Sequence, residues 1–233
     1  DKLMDIKNIK KEFPIFKQKI NGKPLVYLDS ANSSQKPKVV IDKISNFYET
    51  EFSNVGRSVH TLAVKATNRF EASRDKTQKY LNAKHREEII FTKGATEAIN
   101  LVASSYGKKY IKKGDEILIT ELEHHSNYVP WNFLRTEKGA VIKFAQVNES
   151  GDVEIEEIKK LITNKTKMIA ITHISNVTGA VLPITKIVDL AKEKNIPVLI
   201  DGTQGAPHSA IDMQKIGCDF YAISCHKMYG PNG

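Results

Sequence analysis

Six short apolar runs punctuate this chain, and between most of them apolar residues recur at helical spacing. The runs span 88–92 (Glu-Ile-Ile-Phe-Thr), 116–120 (Glu-Ile-Leu-Ile-Thr), 140–144 (Ala-Val-Ile-Lys-Phe), 168–172 (Met-Ile-Ala-Ile-Thr), 197–200 (Pro-Val-Leu-Ile) and 220–224 (Phe-Tyr-Ala-Ile-Ser). Each is too short for a buried helix and long enough to cross a sheet. Val39, Val40, Ile44, Phe47 and Tyr48 mark one amphipathic helix, and a second is expected from about Leu62 to Leu81. A third starts near Ala98; Ile155, Ile158, Leu161 and Ile162 mark another, and Ile184, Ile187, Val188 and Ala191 one more. Continuous apolar runs alternating with helices predict an α/β chain with a mainly parallel sheet covered by helices on both faces.

Several classes drop out on composition. With 40% hydrophobic residues the chain can bury a sizeable core. No apolar run reaches the roughly 18 residues a membrane-spanning helix needs. Residues 1–11 are charged and lack the apolar stretch of a secretory signal. Two cysteines, Cys218 and Cys225, make no disulfide framework, so a reducing compartment is expected. That is the cytoplasm, or an organelle matrix if a targeting segment has been removed. The formal charge of +8 invites a nucleic-acid reading, but the basic residues are scattered and only Arg57, Arg69, Arg74, Arg86 and Arg135 are arginines. Neither nucleic acid nor a membrane is expected as a partner.

Polar residues follow the runs directly: Gly94-Ala-Thr96, Glu123-His124-His125, Ser175-Asn176, Asp201-Gly-Thr-Gln204 and Ser224-Cys-His-Lys227. In open parallel sheets, ligands bind beyond the carboxyl ends of the strands, where these clusters fall. A lysine in a desolvated pocket can condense with an aldehyde cofactor, although taken alone Lys227 reads as one surface lysine among many. Asp201 suits a carboxylate against a pyridine nitrogen, or a simple helix cap. Gly94-Ala95-Thr96 offers a helix N-terminus and a hydroxyl to a phosphate, or a turn serving only its own helix. His124 can stack on a ring and move protons, and His125 is the more structural of the pair. No third ligand sits at useful spacing, so a metal site is not expected. Cys225 is expected to be a buried, inert thiol whose side chain alternates away from Ser224 and His226 on an extended segment.

In order, the segments resemble class V, fold-type I enzymes dependent on pyridoxal 5'-phosphate (PLP), and most of all the SUF-type cysteine desulfurases. The matching stretches are Asn21-Gly-Lys-Pro-Leu-Val-Tyr-Leu-Asp-Ser-Ala31, Gln35-Lys-Pro37, Arg57 with Val59-His-Thr-Leu62, and Thr96-Glu-Ala-Ile-Asn100. They continue with Glu123-His-His-Ser-Asn127, Val129-Pro-Trp131, Ile174-Ser-Asn-Val177, Asp201-Gly-Thr-Gln204 and Ser224-Cys-His-Lys-Met-Tyr-Gly-Pro231. The resemblance implies that Lys227 holds PLP as a Schiff base, that Asp201 faces the pyridine nitrogen and that His124 stacks on the ring. It also implies that Gln204 bonds the ring oxygen and that Thr96, Ser224 and His226 hold the phosphate with help from the Ala95 N–H. Asn176 would lie near the ring oxygen and the substrate carboxylate.

The implied reaction takes sulfur from L-cysteine as a protein persulfide, releases L-alanine, and passes the sulfur to an acceptor protein of the SUF system for iron–sulfur cluster assembly. A homodimer is implied as well. The same resemblance implies two parts, an N-terminal segment over 1–25 packing with a small domain and a PLP-binding large domain over 26–233. It further implies that the catalytic-cysteine loop, the arginine gripping the substrate carboxylate and most of the small domain lie beyond residue 233, so this chain by itself is expected to be inactive or only PLP-binding. Two positions depart from the family: Gly56-Arg57-Ser58 stands for the usual His-Arg-Gly, and Ala95 for the first of two threonines. Neighbouring readings are a selenocysteine lyase, a kynureninase-like hydrolase or an epimerase of the same class. A non-catalytic remnant serving as a binding module is the rival of a different kind.

Overall fold

The computed structural model describes residues 5–232. They form two compact units. The first takes residues 5–80, 85–89 and 225–232, and the second takes 81–84 and 90–224.

The second unit is built on five parallel strands: β1 (Glu116–Thr120), β2 (Val141–Ala145), β3 (Thr166–Thr172), β4 (Val198–Asp201) and β5 (Phe220–Ala222). Their order is β2-β1-β3-β4-β5, with Ile117 level with Met168, Ile171 with Ile200, and Ile200 with Tyr221. Every residue of β1 and β4 is buried, whereas edge strand β2 is buried only at Ala145. This is the burial a parallel sheet needs when both faces are covered.

Strand residues alternate between the faces. Ile117, Ile119, Met168, Ala170, Leu199 and Ala222 share one apolar cluster with Ile99, Ala103, Trp131 and Leu134. Those last four come from α3 (Ala95–Val102), the π-helical turn Ala103–Gly107 that continues it, and α4 (Val129–Lys138). Between β2 and β3 runs α5 (Ile155–Leu161); between β3 and β4 runs α6 (Ile184–Lys192), which buries Ile184, Ile187, Val188 and Ala191.

The first unit carries α1 (Lys38–Thr50) and all but the last residue of α2 (Thr61–Leu81), close to their expected bounds. A short helix Ile6–Lys11 and a two-residue hairpin pairing Lys19–Ile20 with Lys23–Pro24 precede them. The strand expected at 88–92 is not formed. A 3₁₀ turn occupies Arg86–Glu88, and the Ile89 that follows is extended but lies in no ladder. The carbonyl of Ile89 accepts from the Arg74 guanidinium instead. An apolar run becomes a strand only where a neighbouring strand takes its backbone groups.

Among the described residues no helix is long and apolar enough to cross a membrane.

Candidate active site

Parallel strands aim their carboxyl ends one way, and in the second unit the polar clusters follow four of those ends. The order β2-β1-β3 places a topological switch point between β1 and β3, the position at which such sheets bind ligands. Both sides of that point are tied together by Glu123. Its carboxylate accepts from Thr120 Oγ1 (2.6 Å) and Asn127 Nδ2 (2.6 Å) on the β1 side, and from the Thr172 N–H (2.9 Å) at the end of β3. Fully buried Asn127 in turn accepts from Trp131 Nε1 at 3.0 Å. Burial pushes the Glu123 carboxyl up to about 7, and the Asp201 charge acts the same way while the three donors pull against both.

His124 leads from β1 into the 3₁₀ turn His125–Asn127 and caps it. Its Nδ1 accepts from the Ser126 N–H at 3.2 Å. The neutral ring therefore carries its proton on Nε2, which leaves that edge of the exposed imidazole for chemistry. His125 is exposed as well. Asn176 stands exposed on a loop after β3 that is closed by an antiparallel bridge between Ile174 and Val181. Beneath it, buried Ser175 Oγ accepts from the N–H groups of Val177 and Thr178.

Asp201 ends β4 and is buried. Its backbone is held on both sides, since its carbonyl accepts from the His173 N–H (2.9 Å) and the next N–H, of Gly202, donates to the Ala222 carbonyl (2.8 Å). Asp201 Oδ1 accepts from the Thr203 N–H at 3.0 Å. The loop onward to buried Gln204 is pressed against a hydrogen-bonded pair, buried His173 through Nδ1 and half-buried Tyr221 through its hydroxyl, 2.8 Å apart. A Cβ on Gly202 would lie 2.0 Å from the Tyr221 ring, and one on Gly205 2.1 Å from His173 Nδ1, so only glycine allows this approach. Burial holds the His173 imidazole below its usual range.

At the start of α3, Gly94 sits at φ +150°, and a side chain there would lie 3.3 Å from Ser224 Oγ. The Ala95 N–H donates to that same oxygen at 2.9 Å. The amide expected to face a phosphate is thus engaged by the hydroxyl, and the Ser224 O–H is the donor left over. Thr96 is exposed in the first turn, where helix N–H groups lack intrahelical acceptors.

Seven of the residues singled out in the sequence therefore fall within the second unit: Ala95, Thr96, His124, Asn176, Asp201, Gln204 and Ser224. His226 and Lys227 lie in the first, on the 3₁₀ turn Cys225–Lys227. That turn corrects the expectation for Cys225. The segment is not extended, and the thiol is exposed rather than buried. Burial, with the Asp219 charge second, pushes the other thiol, Cys218, up to about 12. His226 is half-buried and titrates below its usual range through desolvation first and the charges of Lys227 and Lys36 next. Among the described residues no cluster of three or more His, Cys, Asp or Glu is placed to hold a metal ion.

The sequence reading missed Glu123 and Asn127 as functional candidates. Their signal was the spacing of Glu123, Asn127 and Trp131, each four residues from the next, which lets Asn127 donate to Glu123 and accept from Trp131.

The sequence profile of the family described as aminotransferase class-V matches residues 26–233. The chain belongs to the class-V aminotransferase family. A probable cysteine desulfurase of Halalkalibacterium halodurans is 48% identical over 230 residues, covering 99% of this chain and 57% of that protein. A cysteine desulfurase of Synechococcus elongatus is 44% identical over 229 residues, covering 98% of this chain and 37% of that one. The crystal structure of an Escherichia coli cysteine desulfurase superposes with a TM-score of 0.87 at 35% identity, over 99% of this chain and 57% of that structure. The chain thus spans little more than half the length of these relatives, or less.

The class-V aminotransferase family is PLP-dependent. The donor set of the second unit suits that cofactor: a buried carboxylate for a pyridinium nitrogen, and a helix N-terminus with hydroxyls for a phosphate. Thr203 Oγ1, in the Asp201–Gln204 loop, is buried with no hydrogen-bond partner. A buried hydroxyl so placed is a donor that a bound ligand would satisfy.

Proposed function

We propose that this chain is the cofactor-holding part of a PLP-dependent cysteine desulfurase that converts L-cysteine to L-alanine and passes the sulfur on as a protein persulfide. The observation that carries the reading is the buried Asp201 at the carboxyl end of β4, among polar clusters that follow the neighbouring strands. Identity of 48% to a relative described as a probable cysteine desulfurase supports the substrate class.

In this reading Lys227 holds the cofactor, and its amine moves a proton to or from the substrate carbon. Asp201 keeps a proton on the pyridine nitrogen, aided by the exclusion of water around its carboxylate. His124 stacks on the ring, with its Nε2 edge available to a proton. Gln204 and Asn176 orient oxygen atoms of cofactor and substrate, and Thr96, Ala95, Ser224 and His226 hold the phosphate. When bound, PLP supplies an electron sink for the charge that develops at the substrate's α-carbon. The sulfur leaves cysteine for a protein thiolate. By its place in the sequence neither Cys218 nor Cys225 matches that nucleophile, so the thiolate is assigned to the region of the relatives that this chain does not cover. In this reading the chain by itself is inactive or only binds PLP. A homodimer in the reducing cytoplasm, handing sulfur to an acceptor protein of iron–sulfur cluster assembly, completes the proposal.

The test is the absorption spectrum of the purified chain with PLP, for wild type and Lys227→Ala. A visible band that free PLP lacks, and that the variant loses, is the expected result. A band that survives Lys227→Ala would move the cofactor to another lysine. Absence of any band, in this chain and in a full-length relative-like protein alike, would end the PLP reading.

A further inference from the structure

The first unit contains a feature that the proposed chemistry does not use: an upstream loop gripping the turn that carries Lys227. The carbonyl of His226 belongs to the peptide unit that enters Lys227. It accepts from Lys36 Nζ (2.7 Å), Ser34 Oγ (2.9 Å), the Ser34 N–H (3.1 Å) and Ser33 Oγ (3.4 Å). Such concentration on one oxygen is unusual, because a carbonyl has two lone pairs and a single ladder bond commonly satisfies it. Beyond Lys227, the Tyr229 N–H donates to Ser34 Oγ at 2.8 Å. Buried Ser34 therefore bridges the peptide before Lys227 and the amide two residues after it. Tyr229 itself sits at φ +64°, in the left-handed region that a non-glycine residue occupies only when its surroundings hold it there.

The bridging residues are remote in sequence, with 190 positions separating Lys36 from His226. A turn stabilised only by itself would need none of them. Its internal bonds, from the Met228 and Gly230 N–H groups to the Cys225 carbonyl, are already made. What the loop adds is a fixed orientation of the peptide plane next to Lys227. It also adds a partly desolvated ammonium, with burial lowering the Lys36 pKa.

We propose that Ser34 and Lys36 are positioning residues for Lys227: they lock the His226–Lys227 peptide so that the Lys227 amine is presented in one orientation to an aldehyde. This rests on the reading of Lys227 as the cofactor lysine. Lys36 acts through its charged hydrogen bond, and Ser34 through the bridge from carbonyl to amide. Neither residue need touch the cofactor.

The experiment is PLP capture by the full chain at sub-saturating PLP, fixed with borohydride to a stable secondary amine and located by peptide mass spectrometry. Hydrogen exchange over 225–230 and the melting temperature are measured on the same samples. Wild type is expected to carry the phosphopyridoxyl group on Lys227. Loss of one hydrogen bond to a charged group should lower capture at Lys227 in Lys36→Met about tenfold relative to the other lysines, with the melting temperature nearly unchanged. Lys36→Arg, which keeps charge and donors, should recover most of it. Ser34→Ala should speed exchange at the Tyr229 amide and lower capture together, and it decides the matter if Lys36→Met does not fold.

Capture at Lys227 in Lys36→Met equal to wild type, or a fall that Lys36→Arg does not reverse, overturns the positioning role while leaving Lys227 as the cofactor lysine. Wild type captured elsewhere than Lys227 overturns both.

Discussion

The two units are held by different forces. In the second, whole strands are buried and the core includes Trp131, Leu134, Ile99 and Met168, all at or near zero exposure. Among the described residues of the first, the buried apolar side chains are Ala63, Ala66 and Ile89. Helix α1 buries nothing, and Val39, Ile41, Ile44 and Tyr48 along it are exposed. Order in the first unit comes from hydrogen bonds and ion pairs such as Arg86 with Glu71 and Asp75. The core of one unit fixes where the strand ends point, and the polar net of the other fixes one turn. Substitutions should therefore register mainly as lost stability in the second unit and as lost precision in the first.

The largest effect expected is Trp131→Ala. A fully buried indole is removed and Asn127 loses its donor, so the loss should be about 3–5 kcal/mol. Urea denaturation reads it, and a loss under about 1 kcal/mol would mean that the second unit is not held by its core.

Glu123 comes next, through pH. Its carboxyl is raised from an ordinary 4.5 to about 7 in the fold. Below 4.5 it is protonated in both states. As pH rises toward 7 the unfolded chain ionises first, so stability falls by about 3 kcal/mol across that window. Glu123→Gln should remove that slope, seen as urea midpoints at pH 5 and pH 8 lying closer together than in wild type. An unchanged slope would place the titration elsewhere.

The smallest effect belongs to the first unit. Val39→Ala, on the open face of α1, should shift stability by no more than about 0.5 kcal/mol. A loss of several kcal/mol would show that this face is covered in solution and would erase the contrast.

The same contrast explains what could be read from the sequence. All five strands of the sheet were legible, because burial on both faces leaves unbroken apolar runs such as Ile117-Leu-Ile119 and Met168-Ile-Ala-Ile171. The run at 88–92 carries the same pattern and is no strand, because hydrophobicity signals burial but not the presence of a pairing neighbour. Helix α4 went unread behind Val129-Pro-Trp131, where a proline at the first turn is compatible with a helix start but breaks the periodic pattern. In the candidate site, Asp201, Gln204 and Ser224 stood out by following apolar runs. Glu123 stood in the same cluster, and Thr120 and Asn127 lie within four residues of it, but its bond from the Thr172 N–H depends on strand order, which no local pattern carries. The exposure of Cys225 was misjudged for a related reason. A 3₁₀ turn held by residues nearly two hundred positions upstream leaves no mark in the residues of the turn itself.

The parallel arrangement also governs how this sheet can assemble. None of its four ladders is a hairpin, and β1 meets β3 across a gap of 50 residues, the separation between Glu116 and the Thr166 hydroxyl that bonds it. The entropy of closing such loops is lost before any apolar contact between the strands is gained. Refolding should therefore be slow and denser in non-local contacts than in a helical bundle of this size. While it lasts, β1 and β3 are exposed segments of high β propensity, and dilution and low temperature during refolding will favour recovery over aggregation.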